Sequence, residues 1–310
     1  MNVNKISGIY SNKLFKKGLE FAADNGALFA AGTTLALSLG VRPLSILLTP
    51  KADKENKKVA CAKSIASSLT GYFIMLAFSR PISRAIKQIN NTPKKYLTEQ
   101  SISNLKNGAM DLSNSKAYIL ATQLFKLGIG TMLAAPKAIF TSLTLPIILK
   151  NNENKKTNKN PNFTGLENNI SRILNKKGFQ EFSKKYQDSN FPMHIMALTD
   201  ILTTGTFIHE TKRNKKIKDS QKPMLINNSI VSTTLSIISG YTIDKLLDKP
   251  THKFIEKFKE INKNSPKLDK YIEGIKIAKP ILILGGIYYT VIPIISTFIA
   301  DRMVSNEKRS

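Results

Sequence analysis

The uncharged segment at residues 280–300 places the strongest constraint on how this chain can fold. It runs for twenty-one residues without an Asp, Glu, Lys or Arg. A helix rises about 1.5 Å per residue, so a helix of this length reaches roughly the 30 Å of a bilayer's hydrocarbon core. A helix also satisfies its own backbone hydrogen bonds in lipid. A second uncharged run of equal length lies at residues 223–243. The pair predicts an integral membrane protein.

Six apolar blocks can be recognised along the chain. They begin at residues 25, 64, 127, 189, 223 and 280, and Lys and Asn are frequent between them. The block at 64–79 reaches spanning length only if residues 59–63 are included, with Lys63 snorkelling towards the headgroups. The block at 189–208 contains Asp200 and is the least secure span. The predicted fold class is an all-α, polytopic helical membrane protein with about six spans, or five if residues 189–208 do not cross.

The order of the blocks repeats. In each half, an apolar block is followed by a short lysine-rich link, a second apolar block, an amphipathic helix and a proline-bearing apolar block. Residues 64–68 also align with residues 229–233 at an offset of 165. This order predicts an internal duplication into two similar three-helix halves. Three crossings in each half would give the halves opposite orientations, as in many secondary transporters.

The duplication predicts the domain organisation. Residues 1–150 form a first membrane repeat with an N-terminal amphipathic segment. Residues 151–188 form a polar linker and an amphipathic helix, because residues 151–162 are polar, proline-bearing and repetitive. Residues 189–310 form the second membrane repeat.

Two basic amphipathic segments lie between the blocks, at residues 80–97 and 251–263. Their apolar positions share one helical face: Ile82, Ala85, Ile86 and Ile89 in the first segment, and Phe254, Ile255, Phe258 and Ile261 in the second. Lysines occupy much of the remaining surface of both. A basic amphipathic helix of this kind is typical of a membrane surface, so we expect both segments to lie on the bilayer rather than to cross it.

The net charge limits the partners. With 47 Lys and Arg against 21 Asp and Glu, the formal charge is +26, which predicts attraction to polyanions. Nucleic-acid binding would require basic residues gathered on one face with stacking aromatics, and the sequence shows no such pattern. The predicted partner is the lipid bilayer with its anionic headgroups, without a specific nucleic acid. Compositional drift in an AT-rich genome is the alternative source of the charge, and a homo-oligomer stays open.

Charged and titratable residues inside apolar blocks are the candidate functional residues, because a charge is expensive in lipid. These residues are Arg42, Lys137, Asp200 and His194. Lys137 lies near the centre of its block, and Asp200 is an attractive partner for it. Arg42 can either snorkel to the headgroups or line a permeation path. His194 is either an interfacial side chain or a proton relay.

Small residues at spacings of four allow helices to approach closely in lipid. The candidate helix-packing residues are Ser64, Ser68, Gly71, Ser232, Ser236, Gly240, Gly285 and Gly286. For all of them, we expect packing rather than ligand binding.

No motif points to an enzyme. The sequence contains no HExxH, GxSxG, phosphate loop or GxGxxG in a plausible context, and its three histidines lack metal-ligand spacing. Its one cysteine, Cys61, permits no intramolecular disulfide. We therefore predict no catalytic residue, no metal and no cofactor.

The expected function is passage of a solute or ion between two inverted halves. The expected location is the cytoplasmic membrane of a bacterium. The alternative is a membrane-organising protein that binds anionic lipid through its lysine-rich helices. A soluble helical bundle is a third reading, and it would have to cover two uncharged 21-residue helices with protein.

Overall fold

A computed structural model describes residues 8, 10–24, 26–149 and 165–307. All regular secondary structure in these residues is helical, so the prediction of an all-α fold is confirmed. The predicted linker at 151–162 lies outside the described residues.

The helices whose bounds are described before residue 150 are α1 (Lys13–Asp24), α2 (Gly26–Ala36), α3 (Arg42–Leu47), α4 (Lys54–Ile74), α5 (Arg80–Asn91), α6 (Pro93–Tyr96), α7 (Glu99–Lys106), α8 (Lys116–Met132) and α9 (Ala134–Leu149). Six follow in the described part of the remaining chain: α10 (Leu166–Leu174), α11 (Lys177–Tyr186), α12 (Phe191–Arg213), α13 (Lys222–Ile261), α14 (Leu268–Gly286) and α15 (Ile292–Glu307). Short 3₁₀ turns at Leu112–Asn114 and Asp219–Gln221 precede α8 and α13.

Three wide π-helical turns join consecutive helices without a break: Leu37–Val41, Met75–Ser79 and Ile287–Val291. The second residue after each turn is a proline, namely Pro43, Pro81 and Pro293. A proline ring clashes with the carbonyl four residues earlier and has no N–H to bond it. A π turn widens the helix at that carbonyl, so each helix continues past its proline.

The contacts divide the chain into two compact units. Unit 1 combines the chain up to Ser68 with the chain from Asp219 onward, and unit 2 comprises Leu69–Lys218. Unit 1 therefore contains helices from both predicted halves, and so does unit 2. The predicted boundaries at residues 150 and 188 stay predictions.

The core of unit 1 joins α1, α13 and α14. Leu19, Phe258 and Tyr271 are buried there, and rings from all three helices pack together. Helices α1 and α14 approach closely at Gly274, where a Cβ atom would overlap the carbonyl oxygen of Leu19. Only glycine fits at this position.

The core of unit 2 is formed by α5 with α7, α8 and α10. Its central residues are buried: Ile82, Ala85, Ile86, Ile89, Leu105, Tyr118, Ala121, Ile170 and Leu174. The Tyr118 hydroxyl donates a hydrogen bond to Asn90 Oδ1 at 2.5 Å, and Thr131 and Thr199 join α8 to α12 by a hydrogen bond of 2.7 Å.

These cores bear on the expected position of the two amphipathic segments. The apolar face of residues 80–97 packs into the core of unit 2, which corrects the expectation that this face rests on lipid. Amphipathic periodicity identifies an apolar face without identifying what covers it. In residues 251–263, Phe258 is buried in the core of unit 1, but Ile261 is 42% exposed, so the placement of that segment on lipid stays a prediction.

Two helices in the described residues are long and apolar enough to cross a membrane: Lys54–Asn91 and Ile287–Glu307. Helices α8 and α9, bent by 44° at their junction, would make a third span if they cross together. The residues of the 25–50 block include a shorter apolar helix, Gly32–Leu47. The 223–243 run lies in α13 and the 189–208 block in α12. Length and composition thus support two to three spans.

Candidate functional site

A cavity of about 30 Å³ lies in unit 1 between α3, α4, α13 and α15. We call it the basic cavity because two cationic side chains line it. Its polar lining comprises Arg42, Lys63, Ser64, Ser67, Asn228 and Ser296, and Ile46, Ala60 and Pro293 form apolar walls. Arg42 is a predicted site residue and Ser64 a predicted packing residue.

A hydrogen-bonded chain crosses one side of the basic cavity. The Lys63 Nζ atom donates to Asn228 Oδ1 at 3.2 Å. The Asn228 Nδ2 atom in turn donates to Ser296 Oγ at 3.4 Å and to Thr297 Oγ1 at 3.3 Å. Asn228 is only 5% exposed, so its amide is fixed by partners on two helices. Lys63 therefore binds a buried partner on α13, which corrects the expectation that it snorkels.

Two donors at the basic cavity have no partner among the described residues. They are the Arg42 Nε and the Ser64 Oγ atoms, and both are buried. Ser64 as a whole is 2% exposed. A buried donor left unpaired costs about 1–3 kcal/mol of folding free energy. We therefore expect these two donors to bind a molecule in the cavity.

The charged residues that line the basic cavity are all basic. The Arg42 guanidinium and the Lys63 ammonium lie close enough to repel each other, and the Tyr289 phenol is a further neighbour of Arg42. None of the residues lining the cavity is acidic. Two basic side chains thus line a small space whose lining contains no carboxylate.

Two π turns, each followed by a proline, lie next to residues that line the basic cavity. The turns Leu37–Val41 and Ile287–Val291 contact each other in unit 1. Arg42 follows the first turn directly, and Pro293 is the second residue after the second turn. A wider helical turn changes the direction of the side chains that follow it, so the first turn determines the direction of the Arg42 side chain.

A buried carboxylate lies further along α15. Asp301 is 4% exposed, and its Oδ1 atom accepts hydrogen bonds from the Asp53 N–H at 3.0 Å and from Asn56 Nδ2 at 2.8 Å. These donors belong to the start of α4. Asp301 therefore ties α15 to α4 and is not part of the basic cavity's lining.

The structure brings Lys137 and Asp200 together in unit 2. Helices α9 and α12 pack against each other, and the Lys137 ammonium interacts electrostatically with the Asp200 carboxylate. Lys137 is half-buried, whereas Asp200 is exposed. His194, on the same helix as Asp200, is also exposed.

The predicted packing residues have different environments. The Ser68 hydroxyl donates to the Ser38 carbonyl at 3.2 Å, and Ser232 is buried. The Ser236 carbonyl accepts a hydrogen bond from the Tyr288 hydroxyl at 2.9 Å, beside Gly240. A Cβ on Gly71 would meet the Lys137 side chain at 3.6 Å, and one on Gly285 would meet Leu37 Cδ1 at 2.8 Å. A Cβ on Gly286 would meet nothing within 4 Å.

Sequence reasoning missed Lys63, Asn228 and Asp301 as site residues. One pattern could have indicated the region. The residue pair Arg-Pro recurs in similar apolar surroundings at residues 42–43 and 80–81, and Ile-Pro follows at 292–293. All three sites carry a π turn, but only the first and third border the basic cavity.

The chain matches no protein-family model, no curated protein and no solved structure in the three comparisons. The described residues also contain no group of three or more His, Cys, Asp or Glu that could hold a metal ion. The function is therefore argued from the geometry of the chain alone.

Proposed function

We propose that the chain is an integral helical membrane protein in which unit 1 passes a small polar solute or ion across the bilayer. One observation carries the proposal: the candidate span Ile287–Glu307 has an exposed apolar stripe, and its buried face includes polar side chains. Its exposed face carries a stripe with four-residue spacing, namely Val291, Ile295, Ile299 and Met303. Such a stripe suits lipid tails better than water.

The buried face of the same helix supports passage of something polar. It carries Ser296, Thr297 and Asp301, and it borders the basic cavity. Polar and charged groups within membrane segments are expensive, and they commonly mark substrate or ion pathways. Arg42, Lys63 and Asn228 are the residues that we assign to the path.

The proposal includes the six-span plan with two similar halves. Helix lengths support it: the second helix of each half is the longest, with 38 residues at Lys54–Asn91 and 40 residues at α13. The first helices are also matched, at residues 26–47 and 191–213. The expected compartment stays the cytoplasmic membrane of a bacterium.

The membrane-organising alternative has less support. Its two lysine-rich helices would have to present apolar faces to lipid, but protein covers the face of residues 80–97 and buries Phe258 of residues 251–263. Their lysines stay exposed, so attraction to anionic headgroups remains part of the proposal. That attraction alone leaves the polar lining of the basic cavity without a role.

Reconstituted liposomes test the proposal. Swelling would be followed by light scattering after dilution into iso-osmotic potassium chloride with valinomycin, into glycine or into glucose. We expect at least one condition to swell wild-type vesicles faster than empty ones, and Lys63→Met to slow that swelling. Arg80→Gln is the matched control, because Arg80 also follows a π turn and precedes a proline but is exposed. Equal swelling of wild-type and empty vesicles in every condition would contradict passage.

A further inference from the structure

We infer that a three-helix bundle of unit 1 stands at one bilayer face and binds the headgroups of anionic phospholipids. The bundle comprises residues 10–24 and 249–279, which contain α1, the end of α13 and the start of α14. We call it the lysine-rich bundle. The inference follows from its position at one end of unit 1, its charge and the side chains that it exposes.

Three apolar blocks of unit 1 meet the lysine-rich bundle at the same end. The block that begins at residue 25 follows α1, the 223–243 run leads into the end of α13, and the 280–300 run follows the start of α14. At the other end of these blocks, Asp301 on α15 accepts a hydrogen bond from the Asp53 N–H. The blocks therefore lie side by side. Where they cross a bilayer together, the bundle stands at one face of it.

The bundle also restricts the number of crossings. Six alternating spans would place residues 10–24 and residues 249–279 on opposite sides of the membrane, yet the two segments pack into one core. Five spans, in which residues 189–208 do not cross, place both segments on the same side. The inference therefore rests on the proposed function in its five-span form.

The charge of the lysine-rich bundle favours an anionic partner. Its sequence contains twelve Lys against six Asp and Glu. The opposite end of unit 1, at residues 48–58, 219–222 and 301–307, contains six Lys and Arg against five Asp and Glu. Lysines close to a leaflet of anionic lipid are attracted to it, and the attraction falls off within a Debye length. The excess of positive charge therefore distinguishes the bundle's end from the other.

Three exposed lysines of the bundle lie close to the apolar blocks, one on each helix: Lys17, Lys249 and Lys276. Lys276 is four residues before the 280–300 run and Lys249 is six residues after the 223–243 run, which correspond to about 6 Å and about 9 Å of helix. None of the three forms an ion pair within the described residues. Side chains of this length can extend to the headgroup layer.

Exposed apolar side chains at the same boundary indicate a lipid rather than a free anion. Phe21 is 46% exposed and Leu246 is 71% exposed, and both lie between the lysines and the start of an apolar block. A phospholipid offers a phosphate to the lysines and acyl chains to the apolar side chains. Inorganic phosphate and a nucleic-acid backbone offer only the first. A phospholipid therefore matches the surface better than either.

Thermal unfolding of the full chain in an uncharged detergent tests the surface without any transport. The additions would be short-chain phosphatidylglycerol, phosphatidylcholine with the same acyl chains, inorganic phosphate and single-stranded RNA, at constant ionic strength. A ligand that binds only the folded state raises Tm as its concentration exceeds Kd. We expect phosphatidylglycerol to raise Tm more than any of the other three.

Matched variants make the assignment specific. The bundle variant combines Lys17→Gln, Lys249→Gln and Lys276→Gln. The control combines Lys51→Gln, Lys54→Gln and Lys58→Gln, which remove the same charge from exposed positions at the opposite end. Each lysine near an anionic surface changes binding by a factor of about five, so the bundle variant should need at least roughly tenfold more phosphatidylglycerol for the same rise in Tm. If the bundle variant does not fold, Lys276→Gln with Lys54→Gln as its match makes the same comparison.

The outcomes separate this inference from the proposed function. An equal rise in Tm with phosphatidylcholine, phosphate or RNA, or an equal loss in the bundle variant and its control, would overturn the lipid surface. A phosphatidylglycerol response that only the bundle variant weakens, in a protein that swells no vesicle, would uphold the surface and overturn passage. Swelling without a preference for phosphatidylglycerol would uphold passage and overturn the surface.

Cysteine labelling tests the position of the bundle. Lys13→Cys, Asn264→Cys and Glu55→Cys would be introduced singly into a Cys61→Ser chain, at positions that are all exposed. A membrane-impermeant maleimide should label residues 13 and 264 from the same side of intact vesicles and residue 55 from the other. Labelling of residues 13 and 264 from opposite sides would overturn the placement of the bundle at one bilayer face.

Discussion

Lys63 donates a hydrogen bond to Asn228 at 3.2 Å, and the two residues are separated by 165 positions. The same offset aligns residues 64–68 with residues 229–233. Residues at equivalent positions of the two proposed halves therefore bind each other directly. Residues that meet their own equivalents lie where two copies of a repeat come together, as at a two-fold interface. The basic cavity lies beside this contact.

Replacing Asn228 with aspartate should place a carboxylate beside the Lys63 side chain. In Asn228→Asp, a carboxylate replaces the amide oxygen that Lys63 now binds, and it lies between Lys63 and the hydroxyls of α15. A hydrogen bond to a charged group contributes about 1.5–3 kcal/mol. We expect a higher Tm for Asn228→Asp than for wild type, measured by thermal unfolding in detergent.

The neighbouring residue provides a control for that variant. Asn227 is also buried, but its Nδ2 atom donates to Glu307 Oε1 at 3.5 Å. Asn227→Asp would place two carboxylates together and should lower Tm. An equal fall in Tm for Asn228→Asp would argue against a favourable contact between the new carboxylate and Lys63.

Gly274→Ala should destabilise unit 1. The added Cβ would overlap the carbonyl oxygen of Leu19 and lie 2.7 Å from its carbonyl carbon, so α1 would have to move away from α14. Overpacking of this kind costs about 1–3 kcal/mol. Gly286→Ala is the comparison, because its Cβ would meet nothing within 4 Å, and helix propensity alone favours alanine by up to about 1 kcal/mol. Denaturant unfolding in detergent measures both, and equal stabilities would contradict the close approach.

The Glu20–Lys267 pair should give unit 1 an acid-dependent stability. Lys267 Nζ donates to Glu20 Oε2 at 3.0 Å, and this hydrogen bond lowers the pKa of Glu20 below its usual value. A lowered pKa in the folded state means that the stabilisation is complete above the unfolded pKa, about 4.3 for Glu. It is lost as the pH falls through the lower folded pKa.

A double-mutant cycle checks this pair. Between pH 6 and strongly acidic pH, the Tm of wild type should fall further than the Tm of Glu20→Gln. The reason is that only wild type has an ionised carboxylate at this position that acid can protonate. Lys267→Met should show the same reduced slope, and the double variant should add nothing further. Parallel pH profiles for all four proteins would exclude the pair as a source of acid sensitivity.

The sequence was sufficient for the helical class and for the apolar faces, because both follow from local periodicity. The face of residues 80–97 is apolar as predicted, but protein covers it. What covers a face depends on contacts far along the chain, and a single sequence does not contain them. Asp200 was proposed as a partner for Lys137, and the structure places the two together because α9 packs on α12.

The basic cavity was beyond sequence reasoning for a different reason. Lys63 lies at the edge of an apolar block, where a lysine usually extends towards the headgroups. Its partner on α13 is in the other half of the chain, and Asn228 was part of a run chosen only for its lack of charge. Arg42 was a candidate from its position inside an apolar block, but its direction depends on the π turn before it.

Alkaline carbonate extraction of membranes from cells that express the chain tests the central claim most directly. Carbonate releases proteins held by charge and retains those whose helices cross the lipid. The account predicts that the protein stays in the membrane pellet and enters solution only with detergent, because we propose that the exposed apolar stripe of Ile287–Glu307 lies against lipid. Release into the supernatant as a monodisperse protein would contradict membrane integration and, with it, passage through unit 1.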